Sequence, residues 1–247
     1  MMDRENITGP VSRSLAAVSS ALITFLRRLG AWLACSLIAA VGALVFFAWL
    51  AEEVLEGETS AFDETVRSIV RNYASPTLTS FMQQVTWLGS VTWLIAFGIC
   101  VAIAFIIAKW WRDVALLTVT MMGAIALNIT LKLIFRRARP ESFFETPLPS
   151  SYSFPSGHAL LSLCFYGIVA SIIAPHLKRR FVRPLIWATA VLLIALIGFS
   201  RIYLGVHYPT DVLGSYAVAL FWVVMVSTGD HIYDWRNKRY IEKKVDK

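Results

Sequence analysis

Six apolar stretches, each close to the length of a bilayer's hydrocarbon core, decide what this chain can fold into. They cover residues 29–51, 91–108, 114–135, 159–174, 184–199 and 212–228. A spanning helix needs about 20 mostly apolar residues. Inside lipid only helices or closed barrels satisfy their own backbone. The fourth and fifth stretches are short as bare apolar runs, so they are expected to extend into the polar motifs that flank them. Only 16% of the residues are charged and 57% are hydrophobic, where a soluble domain would carry about a quarter charged. The expected fold class is therefore all-α: a polytopic membrane helix bundle with six transmembrane helices. A net charge of +7 would suit nucleic acid, but the cations sit in loops and tails between the apolar runs, as membrane topology requires. No nucleic-acid partner is expected.

Arg27 and Arg28 precede the first run, as in a signal peptide. That run exceeds the 7–15 residues typical of a signal core, and Trp49-Leu50-Ala51-Glu52 is a poor cleavage site. It reads as a retained anchor. The expected organisation is a cytoplasmic tail over 1–28, a six-helix transmembrane domain over 29–228 and a basic cytoplasmic tail over 229–247, which would meet anionic lipid. Cys35, Cys100 and Cys164 each lie inside an apolar run and are expected as small buried thiols. No CxxC or Cys/His metal spacing occurs.

With the N-terminus cytoplasmic, sixteen of the 23 Lys and Arg residues fall inside and seven outside. That favours both termini inside. The outer cations are Arg67, Arg71, Lys132, Arg136, Arg137, Arg139 and Arg201. Five of these seven cluster around three polar motifs at the ends of spans, against the topological bias. Ionisable residues at such places are functional candidates by default.

The segment 52–90 opens with Glu52, Glu53, Glu56 and Glu58, then places Phe62, Val66, Ile69, Val70 and Tyr73 at helical spacing. An amphipathic helix on the outer membrane face is expected there. Ser75-Pro76 breaks it, and a short helix leads into the second span. This segment would either cover and guide the site or cap the bundle by packing.

The first motif runs from Lys132 to Arg139-Pro140. Seven residues are almost two helical turns, so Lys132 and Arg139 share a face, and Arg136 joins them if the helix persists. Pro140 is expected to end it. Two such cations would equally serve as lipid-headgroup anchors. The second motif, Pro155-Ser156-Gly157-His158, opens the fourth span. Ser156 suits an N-cap, Gly157 permits close backbone approach, and the helix N-terminus offers free N–H groups to an anion. His158 in the first turn could act as general acid. The third motif has Ser200-Arg201, then His207 and Asp211. A carboxylate four residues on can bind one imidazole nitrogen and leave the other as nucleophile. Asp211 also suits a helix cap.

Topology puts all three motifs on one membrane face. The pattern K-x6-R-P, P-S-G-H and S-R-x5-H-x3-D, with the six spans, resembles the membrane branch of the phosphatidic acid phosphatase type 2 superfamily. The resemblance covers residues 132–211. It implies that His207 attacks phosphorus to form a phosphohistidine, Asp211 orients it, and His158 protonates the leaving group and then activates water. It also implies that Lys132, Arg139, Ser156, the Gly157 amide and Arg201 bind the phosphate, with no metal and no cofactor. The implied substrate is a lipid phosphate or diphosphate, with undecaprenyl pyrophosphate first, then phosphatidylglycerophosphate or phosphatidic acid. The implied setting is a bacterial inner (cell) membrane with the site facing the periplasm or exterior. A lipid phosphotransferase, and a non-catalytic lipid-phosphate binding or transport protein, share the same motifs. Residues 141–154 would shape substrate choice through Phe143, Phe144, Tyr152 and Phe154, or simply connect. His176 and His231 are expected at the surface.

Overall fold

The computed structural model describes residues 10–144 and 149–245, with side chains over 30–144 and 149–237. The start of the N-terminal tail and the last basic side chains, on which the charge count partly rests, lie outside them. The described residues are all helical, without strands. The helices are α1 (Pro10–Glu56), α2 (Ser60–Asn72), α3 (Pro76–Trp87), α4 (Val91–Ile107), α5 (Trp111–Phe135), α6 (Gly157–His176), α7 (Arg183–Tyr203) and α8 (Pro209–Val245). The chain divides into two compact units, Met1–Ala39 and Ala40–Lys247. Among the described residues the first holds the leading part of α1, and the site described below lies in the second.

Five helices are individually long and apolar enough to cross a membrane: Gly30–Glu56, Trp111–Phe135, Gly157–His176, Arg180–Tyr203 and Pro209–Asn237. The expected second span is shorter than a full crossing. α3 and α4 pass the same test only together, as a pair bent by 50°. Ser75 and Ser90 start the two arms, each accepting a backbone N–H with its side chain, from Leu78 and Trp93. The fourth and fifth spans do extend into their motifs: α6 begins at Gly157 and α7 continues through Arg201.

α6 is the central post. Ala159, Leu160, Cys164, Phe165 and Ile168 are fully or almost fully buried, and α4, α5, α7 and α8 all pack against it. Around it, Phe47 of α1 stacks on Phe154 at 5.8 Å, and Phe135 meets Phe154 edge-on at 4.9 Å. Phe154 is thus a core anchor rather than a loop residue that touches substrate. Of the three thiols only Cys164 is buried. Cys35 and Cys100 are exposed, because in a bundle within lipid an apolar residue can face outward without meeting water.

The amphipathic helix of 52–90 is present, with a reversal. α2 buries Asp63 and Arg67, while Phe62, Ile69 and Tyr73 are exposed. Its polar face packs on the protein, and its apolar face is turned away, as an interfacial helix requires.

α5 ends at Phe135, four residues before Arg139. Arg136 is in the left-handed conformation (φ 48°), and its side chain turns back to the carbonyl of Leu133. The expected stripe of Lys132, Arg136 and Arg139 along one helix face therefore does not form. Arg136 is exposed, and the chain turns so that Arg137 and Arg139 reach inward from an irregular segment.

Candidate active site

The three motifs converge at one end of the bundle. The turn after α7 sets the first geometry. Gly205 has φ +71°, a left-handed cap of the kind that ends helices. The N–H of Val206 bonds back to the carbonyl of Arg201, so the chain reverses sharply into His207 and α8. His207 is then buried at 2% exposure, with Asp211 fully buried beside it.

His207 Nδ1 lies 3.2 Å from Asp211 Oδ2. The same carboxylate oxygen accepts the N–H of Tyr208 at 2.9 Å. Asp211 thus orients the histidine and caps the start of α8, both roles open to it in the sequence. Ser153 Oγ donates to Asp211 Oδ2 at 2.5 Å and sits 3.4 Å from His207 Nδ1. With Nδ1 engaged, Nε2 is the nitrogen that faces the cations: Arg139 Nη1 lies 3.0 Å from it. Burial pushes the imidazole down to about 4, against the pull of Asp211. At neutral pH the ring is uncharged and its Nε2 can carry a lone pair.

Arg139 is held by the carbonyls of Val206 and Ser151, at 2.9 and 2.8 Å. Lys132, at the end of α5, donates to the carbonyl of Tyr152. Arg201, almost fully buried, donates to Thr86 Oγ1 of α3 at 2.7 Å. His158 stands in the first turn of α6, near Arg201, His207, Arg139 and Lys132. Ser156 precedes α6 and its carbonyl accepts the N–H of Leu160, but its side chain makes no cap bond. The Oγ of Ser156 and the Nε of Arg201 are buried polar atoms without a hydrogen-bond partner among the described residues. Such atoms are costly unless a ligand completes them. Gly157 admits Asn128: a Cβ at that glycine would stand 3.3 Å from the Asn128 amide.

All eight residues singled out in the sequence are therefore gathered: Lys132, Arg139, Ser156, Gly157, His158, Arg201, His207 and Asp211. Cations, an open helix N-terminus and unpartnered donors surround an oriented neutral imidazole. That arrangement can bind a phosphate group and present it to a nucleophile.

Residues 113–233 match the model of the PAP2 superfamily. Phosphatidylglycerophosphatase B of Bacillus subtilis (strain 168) is 30% identical over 205 residues, which cover 82% of this chain and 98% of that protein. The chain belongs to the PAP2 superfamily. An undecaprenyl-diphosphatase of Sulfolobus acidocaldarius is 27% identical over 161 residues, covering 61% of this chain and 73% of the relative. A crystal structure of a transmembrane PAP2 type phosphatidylglycerolphosphate phosphatase from Bacillus subtilis superposes with a TM-score of 0.73 at 30% identity, covering 78% of this chain and 96% of that one. This PAP2 protein is an integral membrane protein and a phosphatase.

Three residues of the site in this PAP2 chain were not singled out by the sequence reasoning. Arg137 donates to Asp211 Oδ1 at 2.7 Å and to Asp63 Oδ2 at 2.7 Å. Burial lowers its pKa, but Asp211 and Asp63 outweigh that and hold the guanidinium above its ordinary value. Asp63 reaches in from α2, and Ser153 from the loop. Only Arg137 left a trace in the sequence, as an outer cation against the topological bias. Tyr208 lies under Arg137, 4.1 Å from guanidinium carbon to ring centroid. The described part of loop 141–154 is more than a connector: Ser151, Tyr152 and Ser153 supply the partners of Arg139, Lys132 and Asp211.

Proposed function

We propose that this protein is a lipid phosphatase that works through a phosphohistidine on His207, without a metal, at the outer face of a bacterial inner membrane. The observation that carries the reading is the His207 ring itself, with Nδ1 on Asp211 and Nε2 beside Arg139. In the first step Nε2 would attack phosphorus and the bond from phosphorus to the lipid-side oxygen would break. That oxygen would take its proton from His158. In the second, water would give a proton to His158 and attack phosphorus. The P–N bond would break, phosphate would leave, and His207 would return neutral. Lys132, Arg139, Arg201, Ser156 and the amide of Gly157 would hold the non-bridging oxygens. Phosphoryl transfer asks mainly for such positioning and charge.

A site at the end of a membrane bundle suits a phosphate whose apolar tail stays in lipid. The name of the Bacillus relative supports phosphatidylglycerophosphate, because the match spans nearly that whole protein. The Sulfolobus relative supports undecaprenyl diphosphate. Phosphate release from both, and from phosphatidic acid, measured in detergent, separates these substrates. His207→Ala should abolish release on every one, by about 10⁴-fold or more, as loss of a nucleophile does. Undiminished release by that variant would sink the phosphohistidine. Label from the substrate's phosphate appearing in a second lipid instead of free phosphate would mark a phosphotransferase.

A further inference from the structure

α2 buries the wrong face for a helix that is held only by apolar packing. Asp63 is fully buried and Arg67 is 4% exposed, whereas Phe62 and Ile69 are half exposed. The partners of Asp63 explain the choice. Its Oδ1 accepts the backbone N–H of Thr210 at 3.0 Å, and its Oδ2 accepts Thr210 Oγ1 and Arg137 Nη2, each at 2.7 Å. Arg137 Nη1 continues to Asp211 Oδ1 at 2.7 Å, and Asp211 holds His207. A continuous line, Asp63–Arg137–Asp211–His207, thus runs from the outer helix to the imidazole.

Both terminal nitrogens of Arg137 are engaged by the protein. One terminal nitrogen serves Asp211 and Thr210, the other Asp63 and Thr59, and its face is covered by Tyr208. Two carboxylates and one guanidinium buried together are expensive to desolvate. Apolar residues of similar volume would often do as well for stability alone. A second tie of the same kind supports the clamp: Arg67 donates to the carbonyl of Glu141 at 2.7 Å, just beyond Arg139-Pro140.

We infer that Asp63 and Arg137 are positioning residues of the reaction, which hold Asp211 against His207 and set the charge that the imidazole feels, so that α2 is part of the catalytic apparatus. This rests on the reading of His207 as nucleophile. The charged and titratable groups around His207 are Asp211 from α8, Lys132 from α5 with Arg137 and Arg139 beyond it, His158 from α6, and Arg201 from α7. α2 adds Asp63 and Arg67. α3 carries no charged residue.

The test is a pH profile of kcat/KM for Arg137→Gln, Asp63→Asn and the double variant. Ser68→Ala, an exposed change on the same helix whose hydroxyl bonds only to the carbonyl of Thr65, serves as control. Removing the Arg137 charge leaves Asp211 uncompensated, favours the imidazolium and moves the acid limb up. Removing the Asp63 charge leaves Arg137 less compensated and moves it down. The expected shifts are about 0.5–1 unit in opposite directions, with the double variant between them. In each single variant kcat falls about tenfold or more, the scale of losing an orienting partner of a functional histidine, while KM stays within about twofold. General loosening of the fold cannot move the limb in two directions. Unmoved limbs, limbs that move together, or an unchanged kcat overturn the inference. If Arg137→Gln does not fold, the direction of the Asp63→Asn limb decides alone. His207→Ala run alongside keeps the two readings apart: an active His207→Ala sinks the nucleophile, whereas an inactive one with unmoved limbs sinks only the role of α2.

Discussion

Two arginines in this protein each join a pair of aspartates, at opposite ends of α5, and they do different work. Arg137 bridges Asp63 and Asp211, whose side chains are both fully buried, and is itself 15% exposed. Arg112, at the start of α5, bonds Asp230 at 2.8 Å and also pairs with Asp234. There the three side chains are 39, 30 and 40% exposed. The Arg112 cluster ties α5 to α8, and solvent screens it. The Arg137 cluster touches a histidine and stands beside Ser156 Oγ and Arg201 Nε, which have no hydrogen-bond partner among the described residues. The ion-pair chemistry is the same at both ends. What separates a fastening from an active site is burial and the presence of unsatisfied groups next to it.

The comparison can be broken most forcefully with single cations. Arg139→Ala, at the site end, is expected to cut kcat about 10²–10³-fold, as removal of one transition-state donor does. Arg112→Ala should leave kcat within about twofold. Steady-state phosphate release reads both, and similar losses would erase the distinction between the ends. Stability should separate them next. Asp63→Ala leaves Arg137 with one carboxylate instead of two and takes the acceptor from the buried Thr210 N–H, and should cost about 3 kcal/mol. Asp230→Ala removes a half-exposed partner and should cost about 0–1 kcal/mol. Melting temperatures in one detergent rank the two, and an equal drop would mean that burial is not the deciding difference.

Acid provides a milder perturbation. His207 is held near 4, below its ordinary value of 6.5. Because the folded pKa is depressed, the neutral ring favours the fold above 6.5, and that contribution is lost as pH falls from 6.5 towards 4. Activity should hold to about pH 5 and fail near 4. A limb at 6.5 would show an exposed histidine instead. The smallest effect is expected from EDTA. Three cations around one anion supply the charge that a metal would, so chelation should leave phosphate release unchanged.

Much of the site was legible because its chemistry sits in short motifs. His207 and Asp211 are four residues apart, a distance that a helix start bridges by itself. Ser156, Gly157 and His158 announce a helix N-terminus. What escaped depended on the path of the backbone between motifs. Helical extrapolation from Lys132 put Arg136 on the site face. The left-handed turn at Arg136 gave that place to Arg137 and Arg139, and a non-glycine residue adopts it only where the surroundings impose it. Asp63 lies on the polar face of an amphipathic helix, where an acid would ordinarily meet water. Its sequence neighbours contain nothing that says it meets Arg137, seventy-four positions away.

The sequence by itself determined a membrane bundle, its spans and a phosphate chemistry, because hydrophobic length and motif spacing are local properties. Tertiary structure decided which face of α2 is buried, which arginine holds Asp211, and that α3 and α4 are two arms meeting at a bend of 50°. Those outcomes depend on which long-range partner repays the desolvation of a charge, and no local pattern encodes that partner.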